Sequence, residues 1–234
     1  MYLIYNPCCV FFSPLTSTRE KVSNLSVAST FTNSSRHDLA QFPADWPEVE
    51  YICPGAVFGL AQDFTRDAPT DGLSYGSIIA AIVAPLSRGT VSISSADTYD
   101  QPIIDPRWLT HPTDAQVAIA AFKRARSIWA APSLAEIVIG DEYFPGKDIE
   151  TDEQILQLIR RAMTPVSHAS CTCKMGTSDD PMAVIDNKAR VFGTQGLRVI
   201  DASSFPILGP GHPMATIYAL AEKLADDIKA AATL

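Results

Sequence analysis

The chain has 234 residues, 47% of them hydrophobic, with a formal net charge of −8, enough for one large packed domain or two small ones. The acidic balance and the lack of any basic run exclude the electrostatic footprint of a nucleic-acid or anionic-membrane binder. No apolar run is long enough for a membrane-spanning helix, and an odd count of five cysteines does not describe a disulfide framework.

In chain order, residues 1–12 are apolar but carry no positive leading segment and are interrupted by Asn6-Pro7, which argues against a secretory leader. Residues 13–75 are rich in Ser, Thr, Pro and Gly. Within them Leu15 to Val27 reads as loop, and Ala44 to Gly59 as an irregular stretch with core anchors at Trp46, Tyr51 and Pro54. Asn24-Leu-Ser26 and Asn33-Ser-Ser35 have the pattern of glycosylation acceptors. Ser77 to Ala84 is a continuous apolar run ending at Pro85, which predicts one buried strand. Arg88 to Ser94 alternates with period two and predicts a half-exposed strand. Asp100 to Arg107, with Pro102 and Pro106 around Ile103-Ile104, reads as an edge element.

Two helices carry capping-box spacing. Thr113 and Gln116 precede Val117–Trp129, and Thr151 and Gln154 precede Ile155–Met163. In the first, Val117, Ala120, Ala121, Ala125 and Ile128 form one apolar stripe. Leu197 to Ile200 reads as a strand after the Gly193–Gly196 turn. Pro213 to Ala231 predicts the strongest helix, with Pro213 at its first position and Ile217, Leu220, Leu224 and Ile228 as its buried face. Strands and helices do not alternate as βαβ units, so the fold class is α+β.

Two histidines lie beside small residues that let a flat ligand approach. His212 follows Gly209-Pro-Gly211 and immediately precedes the last helix, whose first-turn amides and macrodipole favour negative charge. A bare N-cap role for His212 accounts for the local pattern equally well. His168 sits between a helix and a turn, beside Ala169 and Ser170, and neutral imidazole suits removal of a proton from an alcohol. The alternative is a hydrogen-bonded histidine with no chemistry. His168, Cys171 and Cys173 lack the C-x-x-C spacing of a zinc site, and His37 and His111 lie in distant segments, so no metal is expected. Asp201, at the end of the Leu197–Ile200 strand, suits either a cofactor hydroxyl or a turn cap. Asp186-Asn187 reads as a turn, with Asp186 a lesser candidate for the same contact.

The order of these segments resembles the C-terminal part of the glucose–methanol–choline (GMC) family of FAD-dependent oxidoreductases. His168-Ala-Ser-Cys-Thr-Cys-Lys-Met-Gly176 is similar to the family's His-x-x-Gly-Thr-Cys-x-Met-Gly. Gly196-Leu-Arg-Val-Ile-Asp-Ala-Ser203 resembles its flavin-domain return strand, and Gly211-His-Pro-Met-Ala-Thr216 with Ala221-Glu-Lys223 resembles its second catalytic segment and final helix. The likeness runs from about Pro85 to Ala231, extends less distinctly back to Pro14, and leaves residues 1–12 unassigned.

The resemblance implies a mainly antiparallel substrate domain with flanking helices. It starts in residues 13–84 and has its core in residues 85–192, and the return strand and helix of a Rossmann-like FAD domain occupy residues 193–234. It implies His168 as the base that deprotonates an alcohol, His212 hydrogen-bonding the same oxygen, and hydride passing to flavin N5. Asp201, Ala202, His212, Pro213 and Met214 would contact FAD. Cys171 stands where the family usually has Gly. The Gly-x-Gly-x-x-Gly loop that seats the FAD pyrophosphate does not occur in these 234 residues. A chain or segment supplying that half is therefore an expected partner, beside a small alcohol substrate. Non-redox lyase or cyclase chemistry on the same fold, or an inactive fragment, are the competing functions.

Overall fold

The computed structural model describes residues 2–5, 17–60 and 69–232. Readings that fell on the remaining residues, Cys8 and Cys9 included, lie outside the described residues. Among the described residues the architecture is α+β, with four α-helices and three small antiparallel sheets. The chain divides into two compact units that interleave in sequence: Met1–Arg88 with Arg107–Thr164, and Gly89–Pro106 with Pro165–Leu234.

The first unit holds two three-stranded sheets. In one, β1 (Tyr2–Tyr5) lies between β4 (Ser74–Ser77) and β8 (Val138–Phe144); in the other, β3 (Val49–Ile52) lies between β2 (Ser17–Glu20) and β5 (Ile79–Ile82). β2 and β3 correct the expectation of loop at Leu15–Val27 and of irregular chain at Ala44–Gly59. Ser17-Thr-Arg-Glu20 has no apolar alternation of its own, and it is extended because it pairs residue for residue with β3. The predicted single strand Ser77–Ala84 is two strands in different sheets. The run breaks at Ile78, which is buried in the core, while the Ser77 hydroxyl donates to the Ala56 carbonyl and accepts from the Phe58 amide. A hydropathy run is blind to such a change of sheet, because both strands are apolar.

Helix α2 (Pro112–Trp129) supplies the core. Its predicted stripe packs with Val49, Tyr51, Ile78 and Phe31, and the four residues Val117, Ala120, Ala121 and Ala125 are fully buried, with Ile128 partly so. Alanine at three of those four positions lets the helix approach closely. The expected capping box at Thr113 does not form. His111 is the N-cap, its Nδ1 accepting from the Thr113 amide at 3.3 Å, while the Thr113 hydroxyl donates to Asp38 at 2.7 Å. The second box forms as expected: Thr151 caps α3 (Asp152–Ala162), with reciprocal bonds to Gln154. Arg124 grips Glu20 through two nitrogens at 2.9 and 3.0 Å, which ties α2 to β2.

The second unit contains the hairpin β6 (Thr90–Ser92) and β7 (Ile103–Asp105), a long irregular segment, and α4 (Met214–Ala232). Gly89 opens the hairpin where a Cβ would collide with the Asp105 carbonyl. The hairpin is exposed on both faces rather than half-exposed, with Val91, Ile93, Ile103 and Ile104 all at the surface. A small core of Ile185, Ala189 and Leu224, joined by Met175, Val199, Ile200 and Leu220, holds the irregular segment to α4. Of the predicted α4 face only Leu224 is fully buried, and Ile228 is exposed. Leu197–Ile200 is not a regular strand. Its backbone bonds to the preceding residues are those of Leu197 with Val191 (3.1 Å) and Val199 with Ala189 (3.0 Å), too few to propagate a ladder.

Candidate functional site

All the expected site residues fall in the second unit. Two local structures position them. The first is a ladder between irregular segments: the amides of Cys171, Cys173 and Met175 donate to the carbonyls of Ala202, Ser203 and Ser204 at 3.1, 2.9 and 2.9 Å. This fixes the loop carrying His168 against the short turn Ala202–Ser204. Asp201 caps that turn, its Oδ1 accepting from the Ser203 amide at 2.7 Å and the Ser203 hydroxyl at 2.5 Å.

The ladder has a backbone cost. Cys171 has φ +67°, a left-handed conformation that disfavours a Cβ, and Ser167, just before His168, has φ +59°. Position 171 is the one where the resemblance leads to an expectation of glycine, and its φ gives the physical reason for that preference.

The second structure is the start of α4. The Pro213 carbonyl accepts from the Ile217 amide at 2.9 Å, so Pro213 is the N-cap and Met214 the first helical residue, one position later than expected. His212 therefore precedes the cap and does not serve as one. The amides of Met214, Ala215 and Thr216 belong to the first turn, which a helix leaves without internal acceptors. Gly211 has φ +133°, a region closed to residues with a Cβ, and this swings His212 toward the His168 loop.

The two imidazoles meet. His168 Nε2 lies 2.8 Å from His212 Nδ1, with ring centroids 4.8 Å apart and planes at 85°. At that separation one nitrogen donates and the other accepts. Beside the pair is an open depression of about 290 Å³ lined by Ser167, His168, Ala169, Ala202, Met214 and Tyr218, among others. His168, Ala202, Pro213 and Met214 line it; His212 is not a lining residue and is joined to it by its bond to His168. Asp201 reaches it only through the turn that it caps. Ser167 and Tyr218 are not singled out by the sequence, while Ala169 is expected there only as a small neighbour of His168 and Ile217 only as part of the helix's buried face. Ser167 and Ala169 flank His168, and Ile217 and Tyr218 follow Met214 by three and four positions, the spacing of one helix face.

Cys171 and Cys173 are free thiols, and among the described residues no group of three His, Cys, Asp or Glu side chains is placed to hold a metal ion. Asp186 accepts from the Lys188 and Arg190 amides, both at 2.9 Å, and pairs with the Arg190 guanidinium, so it organises the turn around Ala189. Partial burial pushes its carboxyl up, but the Arg190 bonds and the two amides outweigh that and hold it below the usual carboxylate range.

Comparison with known proteins covers the same region. The family model described as GMC oxidoreductase matches residues 85–221. Patulin synthase from Aspergillus clavatus is 50% identical over 212 residues, which is 91% of this chain and 34% of that protein. Versicolorin B synthase from Emericella nidulans is 48% identical over 187 residues, 80% of this chain and 28% of that protein. An FAD-dependent oxidoreductase from Chaetomium thermophilum superposes with a TM-score of 0.69 at 28% identity, covering 93% of this chain and 39% of that one. The chain thus spans about a third of the length of the curated relatives that it matches.

Proposed function

The chain belongs to the GMC oxidoreductase family, and from that premise we propose that its second unit forms the ring-facing part of an FAD site where an alcohol is oxidised, with His168 as general base. The observation that carries the reading is the 2.8 Å contact between His168 Nε2 and His212 Nδ1 beside the start of α4. At this distance one imidazole donates to the other, so an alcohol binds by replacing that bond: as the rings part, its O–H donates to His168 Nε2 and its oxygen accepts from His212 Nδ1–H. His168 then takes the proton as the C–H bond breaks, and His212 stabilises the developing negative oxygen.

The residues present fit the electron-rich edge of a flavin ring. The first-turn amides of Met214 and Ala215 offer donors and positive dipole, and Ala169 and Ala202 add little bulk beside them. Bound FAD supplies the two-electron hydride acceptor. Ala202, Pro213 and Met214 would hold it, with Asp201 fixing the turn under Ala202. A chain or segment carrying a Gly-x-Gly-x-x-Gly loop completes the reading by seating the pyrophosphate, since the 234 residues contain no such loop.

The test is a visible spectrum of the purified chain after adding FAD and desalting, followed by an anaerobic panel of alcohols. Retained flavin that an alcohol bleaches supports alcohol oxidation. Retained flavin that stays oxidised while a substrate is consumed overturns it in favour of lyase or cyclase chemistry. If no flavin is retained, the same panel is run on the complex with the chain that carries the loop.

A further inference from the structure

The first unit carries two features that the redox site does not use, the triplets Asn24-Leu25-Ser26 and Asn33-Ser34-Ser35. Transfer of a glycan to asparagine asks three things of such a triplet: an exposed carboxamide, a reachable hydroxyl two residues on, and a backbone that can present both at once. The two triplets meet these demands differently.

Asn24 is exposed and ends the short 3₁₀ turn Val22–Asn24. Leu25 is extended at φ −100°, ψ 161°, and Ser26 is exposed at the start of the next turn. The triplet is thus a surface corner between two turns, held from below by Val22 and Ala28 in the core. Asn33 is also exposed, but it opens α1 (Asn33–Leu39), and all three residues of its triplet are helical. Its Ser35 is only 1% exposed, and the Ser35 hydroxyl is hydrogen-bonded to the hydroxyls of Thr113 at 3.0 Å and Thr32 at 3.1 Å. The group that a transferase must read at Asn33 is therefore locked inside the fold.

We propose that, in a chain delivered to the secretory lumen, Asn24 is an N-linked glycan acceptor open in the folded state, and that Asn33 is a second acceptor usable only before α1 forms. In the transfer, the asparagine carboxamide nitrogen bonds to C1 of the first sugar of a lipid-pyrophosphate-linked oligosaccharide. The C1–O bond to pyrophosphate breaks, the lipid pyrophosphate leaves with that electron pair, and the amide proton passes to a base of the transferase. No oxidant or reductant is needed.

Two experiments decide it. The full chain is expressed behind a cleavable secretory leader in a eukaryotic host, as wild type, Asn24→Gln, Ser26→Ala and Asn33→Gln. Peptide:N-glycosidase treatment of wild type is expected to remove two glycans and to leave aspartate at both positions of the tryptic peptide 22–36. Asn24→Gln and Ser26→Ala should each remove one glycan, and Asn33→Gln the other. Two independent changes at the first triplet guard against a folding defect in either. Second, the unglycosylated folded chain and its 22–36 peptide are incubated with purified oligosaccharyltransferase and lipid-linked oligosaccharide. In the folded chain Asn33 should react roughly tenfold or more slowly than Asn24, because Ser35 is reached only by local opening; in the peptide both should react. An unmodified Asn24 in wild type, while a reporter sequon behind the same leader is modified, overturns the proposal. So does equal reactivity of Asn24 and Asn33 in the folded chain.

Discussion

At the level of single residues, His168 and Cys171 put the reading at most risk. With the chain in a flavin-loaded form, His168→Ala should lower turnover by about two to four orders of magnitude, the usual contribution of a general base; unchanged turnover removes His168 from that role. Cys171 makes a prediction about stability instead. A left-handed residue with a Cβ costs about 1–2 kcal/mol, and a glycine costs about 0.4–1 kcal/mol through the unfolded chain. Cys171→Gly should therefore stabilise the protein by roughly 0.5–1 kcal/mol, read as a rise in the urea midpoint, and Cys171→Val should lower it. The histidines were legible because small neighbours and segment order singled them out. The φ of Cys171 was not, since backbone conformation at a free cysteine leaves no mark in local composition. Asp201 can be read two ways; its Oδ1 makes the cap with Ser203, a role that is compatible with a cofactor contact by the other oxygen.

Among the elements, legibility followed the range of the interaction that decided each one. Thr151 and Gln154 are three residues apart and their box forms. Thr113 and Gln116 have the same spacing, but Asp38 claims the Thr113 hydroxyl and the Gln116 carbonyl accepts from the Thr32 amide, 84 positions away. No local window contains those partners. The α2 stripe was readable because burial of one face is periodic, whereas the Ser77–Ala84 run hid a change of sheet. The turn at Asp186 gives an element-level prediction with a definite sign. Its carboxyl is held below the ordinary aspartate value of about 3.9, so its contribution to stability is fully present above that value and is lost as pH falls through the lower, folded value. Urea midpoints followed from pH 7 to pH 3 should fall further for wild type than for Asp186→Asn, which should start lower and change less. Parallel curves would show that the turn does not depend on this charge.

For the molecule as a whole, exposed apolar surface sets solution behaviour. Val91, Ile93, Ile103 and Ile104 project from one hairpin, and Ile93 is 84% exposed. Soluble proteins seldom leave such a patch uncovered. The chain is expected to self-associate with rising concentration in sedimentation velocity, and Ile93→Lys should shift it toward the monomer without altering its circular dichroism. Association that is unaffected by Ile93→Lys would place the adhesive surface elsewhere. Sequence pattern anticipated a strand here but assigned it one wet and one dry side, because period-two alternation records only the residues of the strand and not what covers them.

The interleaving of the two units also has a bearing on how the protein is made. On a ribosome the hairpin Gly89–Pro106 emerges first, and the segment that completes its unit begins only at Pro165, after the whole of Arg107–Thr164 has been produced. At synthesis rates of about 5–20 residues per second that gap lasts a few seconds, far longer than a hairpin needs to form. The hairpin's four branched apolar side chains stay at the surface even when the unit is complete, so their exposure begins in the nascent chain and does not end with folding. Chaperone capture and sticking to neighbouring chains therefore compete from the moment the hairpin leaves the ribosome, and chaperone supply, as much as the finished fold, should govern the yield of this protein.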